Sequence, residues 1–470
     1  MLRSLALAAL LGAGSVIAGA KCSPGSKCPK DAPCCSTYGE CGVGAFCLGG
    51  CDPKSSFSLD ACVPSPVCED RSMKLNTLDR VVDISDYLGD ASKADWVSQG
   101  EALVYNDNLL LTMPKNSVGT VLSSTVYMWY GNVKAKFKTS RGAGVVTAFI
   151  LFSDVKDEID FEFVGTELET AQTNYYFQGI TDYHNSGNLS TSDTFDNWHT
   201  YEVRWTPDKI EWIIDGKVGR TKEKADTWNE TSQNFQFPQT PARVQLSLWP
   251  GGLASNQKGT IDWAGGEIDW DSSDIQNYGY YFATFSEVDI ECYNSPTPPG
   301  TNLKKSYYYN DIRCTNDTIV DSDKKHIIGS LSATGLDMDK GKKKATKSSS
   351  SDKSSSSSSS DKSAESSEAA SIPGGSNGSS GDDHSEDDSS NDNSSSNDDS
   401  SSNNDSTSDD SSSGTKADTS KCKTTSFNQD CGSDDDSSDS SDSSNGKSGS
   451  TRTSASALAI IIAGCALFWL

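Results

Sequence analysis

Asp157-Glu158-Ile159-Asp160-Phe161-Glu162-Phe163 alternates acidic and apolar residues with a period of two. In an extended strand successive side chains face opposite sides. Glu158, Asp160 and Glu162 therefore share one face, and Ile159, Phe161 and Phe163 share the other. The apolar set anchors the strand in the core of a sandwich. Three carboxylates on one face repel one another, and folding alone does not call for them. Cleavage of a glycosidic bond does. A retaining mechanism needs one carboxylate to attack the anomeric carbon and one protonated carboxyl to release the leaving sugar, the two being roughly 5–5.5 Å apart. Backbones four residues apart on a strand are separated by about 13 Å, so the two glutamates must lean together across Asp160, most easily on a concave sheet. Crowding would raise the pKa of the acid, and Asp160 can hydrogen-bond and orient the nucleophile. A solvated acidic face or a calcium site would give the same local pattern, so the surroundings must decide.

Outward from this strand, short runs rich in Val, Ile, Phe, Tyr and Trp recur between Gly, Asn and Asp clusters, and few stretches hold a helical period. The clearest hairpin is Lys209–Ile214, the turn Asp215-Gly216, then Lys217-Val218-Gly219-Arg220. Asp-Gly tolerates the positive φ angles of a tight turn whose twist matches antiparallel strands. Val203, Trp205, Trp212 and Ile214 alternate with polar residues. About 240 residues of this kind predict an all-β protein, a jelly-roll β-sandwich of two packed sheets. Trp205 and Trp212 are expected in its core, and His184 and His199 are expected to be structural.

The 470 residues are unevenly composed. From Ser348 to Ser450 there are 22 acidic and 6 basic residues and no Trp or Tyr, so this tail carries about −16 of the net charge of −26. Such a segment cannot bury enough apolar surface to offset its ordering entropy. As an expanded coil it would span roughly 50–60 Å or more and hold the folded part away from a membrane. No basic stripe points to nucleic acid. Residues 1–20, with Ala18-Gly19-Ala20 as a cleavage site, read as a secretory signal peptide. The uncharged run from Ala455 to Leu470 follows a polar spacer and reads as a GPI-attachment signal; a tail-anchored helix is the alternative.

Fourteen cysteines fit secretion, nine of them between Cys22 and Cys68. Cys62 and Cys68 are expected together at the start of the large domain, with Cys292 and Cys314 at its far end and Cys422 with Cys431 as a loop in the tail. Asn188, Asn229 and Asn316 head glycosylation sequons.

Glu158-Ile-Asp-Phe-Glu162 resembles the E-x-D-x-E signature of family 16 glycoside hydrolases, which are retaining jelly-roll enzymes. The block from Asp157 to Gly165, with Tyr130-Gly131 before it and Trp249-Pro-Gly-Gly252 and Gly259-Thr-Ile-Asp-Trp-Ala-Gly-Gly266 after it, is similar to the fungal Crh/Utr cell-wall transglycosylases. The resemblance spans roughly residues 62–292, with the N-terminal module and the Ser-rich tail besides. It implies Glu158 as nucleophile and Glu162 as acid/base, with Arg243, Trp249 and Thr260 touching sugar in the groove. Core packing is the alternative for Trp249. Tyr130, Asn174 and Tyr176 are further candidates for the cleft. Cys34-Cys35-Ser36-Thr-Tyr38-Gly-Glu40-Cys41-Gly42, then Phe46-Cys47 and Cys51, resembles hevein-type chitin-binding modules, which bind N-acetylglucosamine through a Ser and three aromatic positions. Ser36, Tyr38 and Phe46 match, Glu40 replaces an aromatic, and seven cysteines precede Cys62 where eight are usual; a disulfide knot without sugar binding is the alternative.

The expected organisation is a signal peptide (1–20), a hevein-like module (21–55), a jelly-roll catalytic domain (56–295), an ambiguous extension (296–340), a disordered linker (341–450) and an attachment signal (451–470). The expected activity is cleavage of a chitin-like β-1,4 glycan with transfer to β-glucan, by a monomer tethered to the membrane only through its anchor, at the cell surface and in the wall. No cofactor or metal is expected. A plain endo-β-glycan hydrolase and a non-catalytic wall lectin or adhesin are the alternatives.

Overall fold

The computed structural model describes residues 20–342. The expected leader, linker, Cys422–Cys431 loop and attachment signal lie outside the described residues, but for Ala20, Gly341 and Lys342.

Two eight-stranded sheets pack face to face. The first runs, in spatial order, Gly187–Ser190, Thr170–Tyr176, Glu158–Val164, Val145–Ser153, Ala242–Pro250, Thr120–Ser124, Trp96–Gln99 and Val81–Asp83. Its pairs are antiparallel except the last, which is parallel. The second runs Lys217–Glu223, Lys209–Ile214, His199–Trp205, Gly131–Lys138, Tyr280–Cys292, Asn108–Pro114 and Ala102–Tyr105, with Arg71–Lys74 also paired to Tyr280–Cys292. This is the jelly-roll sandwich that the strand periodicity predicts. Between the sheets, Phe137 lies 4.8 Å from Phe285 and 4.5 Å from Tyr201, and Phe149 stacks on Phe161 at 6.2 Å. Each such ring removes about 150–250 Å² from water, and that burial fixes the register of the acidic strand: a slip by one residue would exchange Phe161 for a carboxylate.

The 209–223 hairpin forms as expected, with Asp215 and Gly216 at φ +50° and +78°. Val203, Trp205 and Trp212 are fully buried, and Ile214 is half-buried against the same core.

The cysteines pair differently from the expectation. Cys22–Cys35, Cys28–Cys41, Cys34–Cys47 and Cys51–Cys62 knit the N-terminal module. Cys62 is thus the module's eighth cysteine rather than a companion of Cys68. Cys68 bonds Cys292, because Tyr280–Cys292 pairs with Arg71–Lys74 and brings its end beside residue 68. Cys314 remains a buried free thiol.

Residues 296–340, ambiguous in sequence, are folded. Ser306–Tyr309 pairs with Ile319–Ser322 and with Ser65–Pro66. The chain then returns to the module, where Ile328 and Ala333 pack with Leu48, Ala61 and Val63. The Gly44 amide donates to the Ala333 carbonyl at 2.8 Å, and the Gly335 amide to the Ala61 carbonyl at 2.9 Å.

Candidate active site

The Glu158–Val164 strand is buried along its whole length. Ile159, Phe161 and Phe163 enter the core between the sheets, and Glu158, Asp160 and Glu162 face away from it. The side expected for each residue is therefore the side observed. The neighbouring strands extend the acidic face in rows. Tyr176, Glu158, Phe152 and Arg243 form one row; Asn174, Asp160, Ile150, Gln245 and Ser123 form the next; Gln172, Glu162, Ala148, Ser247, Val121 and Gln99 form a third. Asn174 and Tyr176 line this face, as expected. Tyr130 does not: it opens a strand of the opposite sheet at φ +69°, and its ring sits in the core 4.6 Å from Trp205.

Burial dominates the electrostatics. It raises all three carboxyls above the ordinary carboxylate range, Glu162 to about 8. Glu158 rises further because the Glu162 charge is near, and Asp160 because both neighbours are. The contact between the Asp160 and Glu158 carboxyls lowers the proton affinity of Glu158 and raises that of Asp160, so that a proton shared between them belongs with Asp160. Apart from that shared proton, Glu158 Oε1, both Asp160 carboxyl oxygens and Glu162 Oε1 have no hydrogen-bond partner among the described residues. The face thus holds three carboxyls that burial pushes toward their protonated forms, with the Asp160 contact and the nearby Lys156 charge favouring ionisation of Glu158. Two carboxyls on one face, one to attack and one to protonate, are what double displacement at an acetal carbon requires.

Trp249 is buried but lies on the acidic face, outside the core between the sheets. It packs with Val146, Ala148 and Ile150 and stacks on Trp263 at 5.9 Å. Thr260, buried, and Trp263 lie one turn apart on the helix Lys258–Trp263. Trp263 Nε1 donates to Gln172 Oε1 at 2.8 Å, tying that helix to the row of Glu162. Arg243 is in the row of Glu158 but also wedges under the N-terminal module: its guanidinium lies 5.8 Å from the Tyr127 ring, and a Cβ on Gly49 would meet it at 2.5 Å. The two histidines make no cluster; His199 Nδ1 bonds Asp215 Oδ2 at 2.7 Å and His184 bonds Asp182.

Sequence reasoning missed three contributors. Asp157, quoted only as part of the strand, accepts hydrogen bonds from the amides of Gln178, Gln239 and Thr240 and from the Thr240 hydroxyl, pinning the loops at the mouth of the strand. Lys156, whose pKa burial lowers, lies near the charges of Asp52 and Glu158. Trp263 stands in the Gly259–Gly266 motif, which by itself gives it no role; its indole meets both Trp249 and Gln172. Alternation in Ala242–Pro250 could have signalled Gln245 and Ser247; the cross-strand partners had no local signal.

Ser36, Tyr38 and Phe46 of the module line a cavity of about 520 Å³ together with Gln99, Tyr176 and Glu158. Glu40 is ion-paired to Lys21 at 2.6 Å. Of the sequon residues, Asn188 is exposed and Asn229 and Asn316 are half-buried.

The description of glycosyl hydrolases family 16 matches residues 90–265. The chain is 64% identical over 333 residues to Crh-like protein 3 of Botryotinia fuckeliana, covering 71% of this chain and 75% of that protein. It is 52% identical over 326 residues to Crh-like protein UTR2 of Candida albicans, covering 67% and 69%. A solved structure of Crh5 transglycosylase in complex with NAG is 28% identical, covers 55% of this chain and 95% of that one, and superposes with a TM-score of 0.45.

Proposed function

Because the chain belongs to the Crh-like proteins within glycosyl hydrolase family 16, we propose that it is a retaining transglycosylase that cuts a chitin-like β-1,4 glycan and passes the released end to β-glucan. Glu158 attacks the anomeric carbon while Glu162 gives its proton to the departing glycosidic oxygen, leaving a glycosyl ester on Glu158. Glu162, now ionised, takes the proton of an incoming glucan hydroxyl as that oxygen displaces Glu158. The sugar thus changes partners and both carboxyls return to their starting states. Asp160, by holding a proton toward Glu158, steadies the nucleophile and its leaving-group form. Trp249 offers a flat face to a pyranose ring, and Thr260 and Arg243 lie at the two ends of the same face.

The observation that carries this reading is the trio of buried carboxyls on one strand, with four oxygens that, apart from the Asp160–Glu158 contact, lack a partner among the described residues, opposite a face made wholly of core residues. A lectin has no use for such a trio, since each buried acid costs stability. A leader at residues 1–20, an attachment signal at residues 455–470 and the long acidic spacer support a reading in which the enzyme works at the cell surface and in the wall, as a tethered monomer. Asn188, Asn229 and Asn316 are its N-glycan sites.

Incubating the secreted protein with chitin oligomers and labelled glucan oligomers tests the proposal. A coupled product is expected. Shortened donor alone would mean a hydrolase, and binding with neither product would mean a lectin.

A further inference from the structure

We propose that the N-terminal module is not a separate anchor but the far end of the catalytic groove, so that one N-acetylglucosamine polymer lies against Ser36, Tyr38 and Phe46 and continues to Glu158. The inference rests on the proposed transglycosylase reading and names the donor as the occupant.

The first support is continuity. The module's three sugar-type side chains and Glu158 of the acidic strand line the same cavity, together with Gln99 and Tyr176. The second is alignment. Gln99 Nε2 donates to the Tyr38 hydroxyl at 3.2 Å. Gln99 lies in the row of Glu162 through Val121, Ser247 and Ala148. Four strand spacings separate the two, roughly 19 Å across the sheet, room for several pyranose rings laid end to end perpendicular to the strands. The third is immobility. The Gly50 amide donates to Asp154 at 2.8 Å, Lys54 Nζ to Gln178 Oε1 at 2.6 Å, and the Arg243 guanidinium fills the space beneath Gly49 and Gly50. Ile328 and Ala333 floor the module from below. A module seated this way holds its recognition face toward the groove, where Tyr38 and Phe46 help to line the cavity while Phe46 also packs on the module's own core.

The lining chemistry also selects the occupant. Aromatic faces at Tyr38, Phe46 and Tyr176 suit the apolar faces of pyranose rings, and Ser36, Gln99 and Gln245 supply the hydroxyl and amide groups that an N-acetyl sugar can meet. A cavity of this size falls within the range of about 300–1,000 Å³ that ligand sites occupy.

The test is a donor-length series. Transfer from chitin oligomers of increasing length to one labelled glucan acceptor is followed for the full chain and for its Tyr38→Ala and Gln99→Ala variants, the second lying on the sheet and so unable to unfold the module. The parent's kcat/KM should climb with donor length. Each variant should lose rate in proportion to length, reaching about tenfold for the longest donors, the scale of one lost aromatic or amide contact, with the acceptor KM unmoved. A loss equal at every length, a loss that follows acceptor length instead, or intact kinetics with weakened adhesion to insoluble chitin would each overturn the proposal while leaving the transglycosylase reading standing. A parent that transfers no chitin oligomer of any length would overturn both.

Discussion

The Gly50 amide donates a 2.8 Å hydrogen bond to Asp154 Oδ1, joining the disulfide-knit module to the sheet that carries the acids. The same buried carboxyl accepts the hydroxyls of Tyr127 at 2.7 Å and Ser65 at 3.0 Å, and Arg243 lies close enough to favour its charge. Removing Asp154 leaves three donors unanswered at the joint. At about 1–3 kcal/mol for each buried group left unsatisfied, Asp154→Ala should cost at least several kcal/mol in chemical denaturation. Amide exchange should quicken first at Gly49 and Gly50.

Glu158→Gln and Glu162→Gln should each leave a folded protein with roughly a hundredfold less transfer or worse, because each loses an essential nucleophile or proton role. Initial-rate assays on chitin donors check this, and near-normal turnover by either variant would refute the assignment.

The same substitutions should stabilise. Burial raises these carboxyls above their ordinary range, so between that range and the raised values the folded state holds more protons than the unfolded one. Stability then falls as pH rises through that window. Replacing the acid by its amide removes the penalty. The melting temperature of either variant should exceed the parent's by a few degrees at neutral pH, and the gap should close as the pH approaches about 4, where the unfolded acids also bind their protons. A gap that persists there would mean that the gain is not electrostatic.

Transfer should follow a bell in pH. The Glu162 carboxyl sits at about 8, so kcat/KM should decline as pH rises through that region and the acid loses its proton. Because the three carboxyls titrate together, the limbs report the trio rather than any one residue, and the rising limb marks ionisation of the nucleophile within it. With a donor whose leaving group needs no proton, Glu162→Ala should lose the basic limb while retaining the acidic one.

Reduction or replacement of the Cys68–Cys292 pair should be costly, since it closes a loop of over two hundred residues. In the chain-entropy account this is worth about 5 kcal/mol, measurable as a lower denaturation midpoint in the Cys68→Ala, Cys292→Ala double variant. Cys314, with its thiol pushed up to about 12 by burial, should resist alkylation in the native protein and react on unfolding. Peptide mass spectrometry distinguishes the two states.

The acidic strand was legible because its signal lies in adjacent residues: Phe161 and Glu162 must face opposite ways whatever surrounds them. The hairpin at Asp215-Gly216 was legible for the same reason. Tyr130 misled because a motif places a residue along the chain, not on a sheet, and the strand that it opens belongs to the sheet opposite the acids. Cys62 misled because its nearness to Cys68 in sequence says nothing about which sulfur it meets; its partner, Cys51, is set by the fold of the module. Gln99 and Glu162 share a row only through three intervening strands, each paired at a register that long-range packing sets. No window of sequence contains that information.

The return of Ile328 and Ala333 to the module has a consequence for biosynthesis. The polypeptide is made from its amino end, so Cys51 emerges close to three hundred residues before the apolar floor beneath it. At roughly 5–20 residues per second, that is a wait on the order of 15–60 s. During that interval the first-made segment must keep Leu48 and Val63 exposed or borrow cover from a helper, and a ribosome-stalled chain ending before Ile328 should remain protease-sensitive there. The last-folded stretch is therefore the one that locks the first.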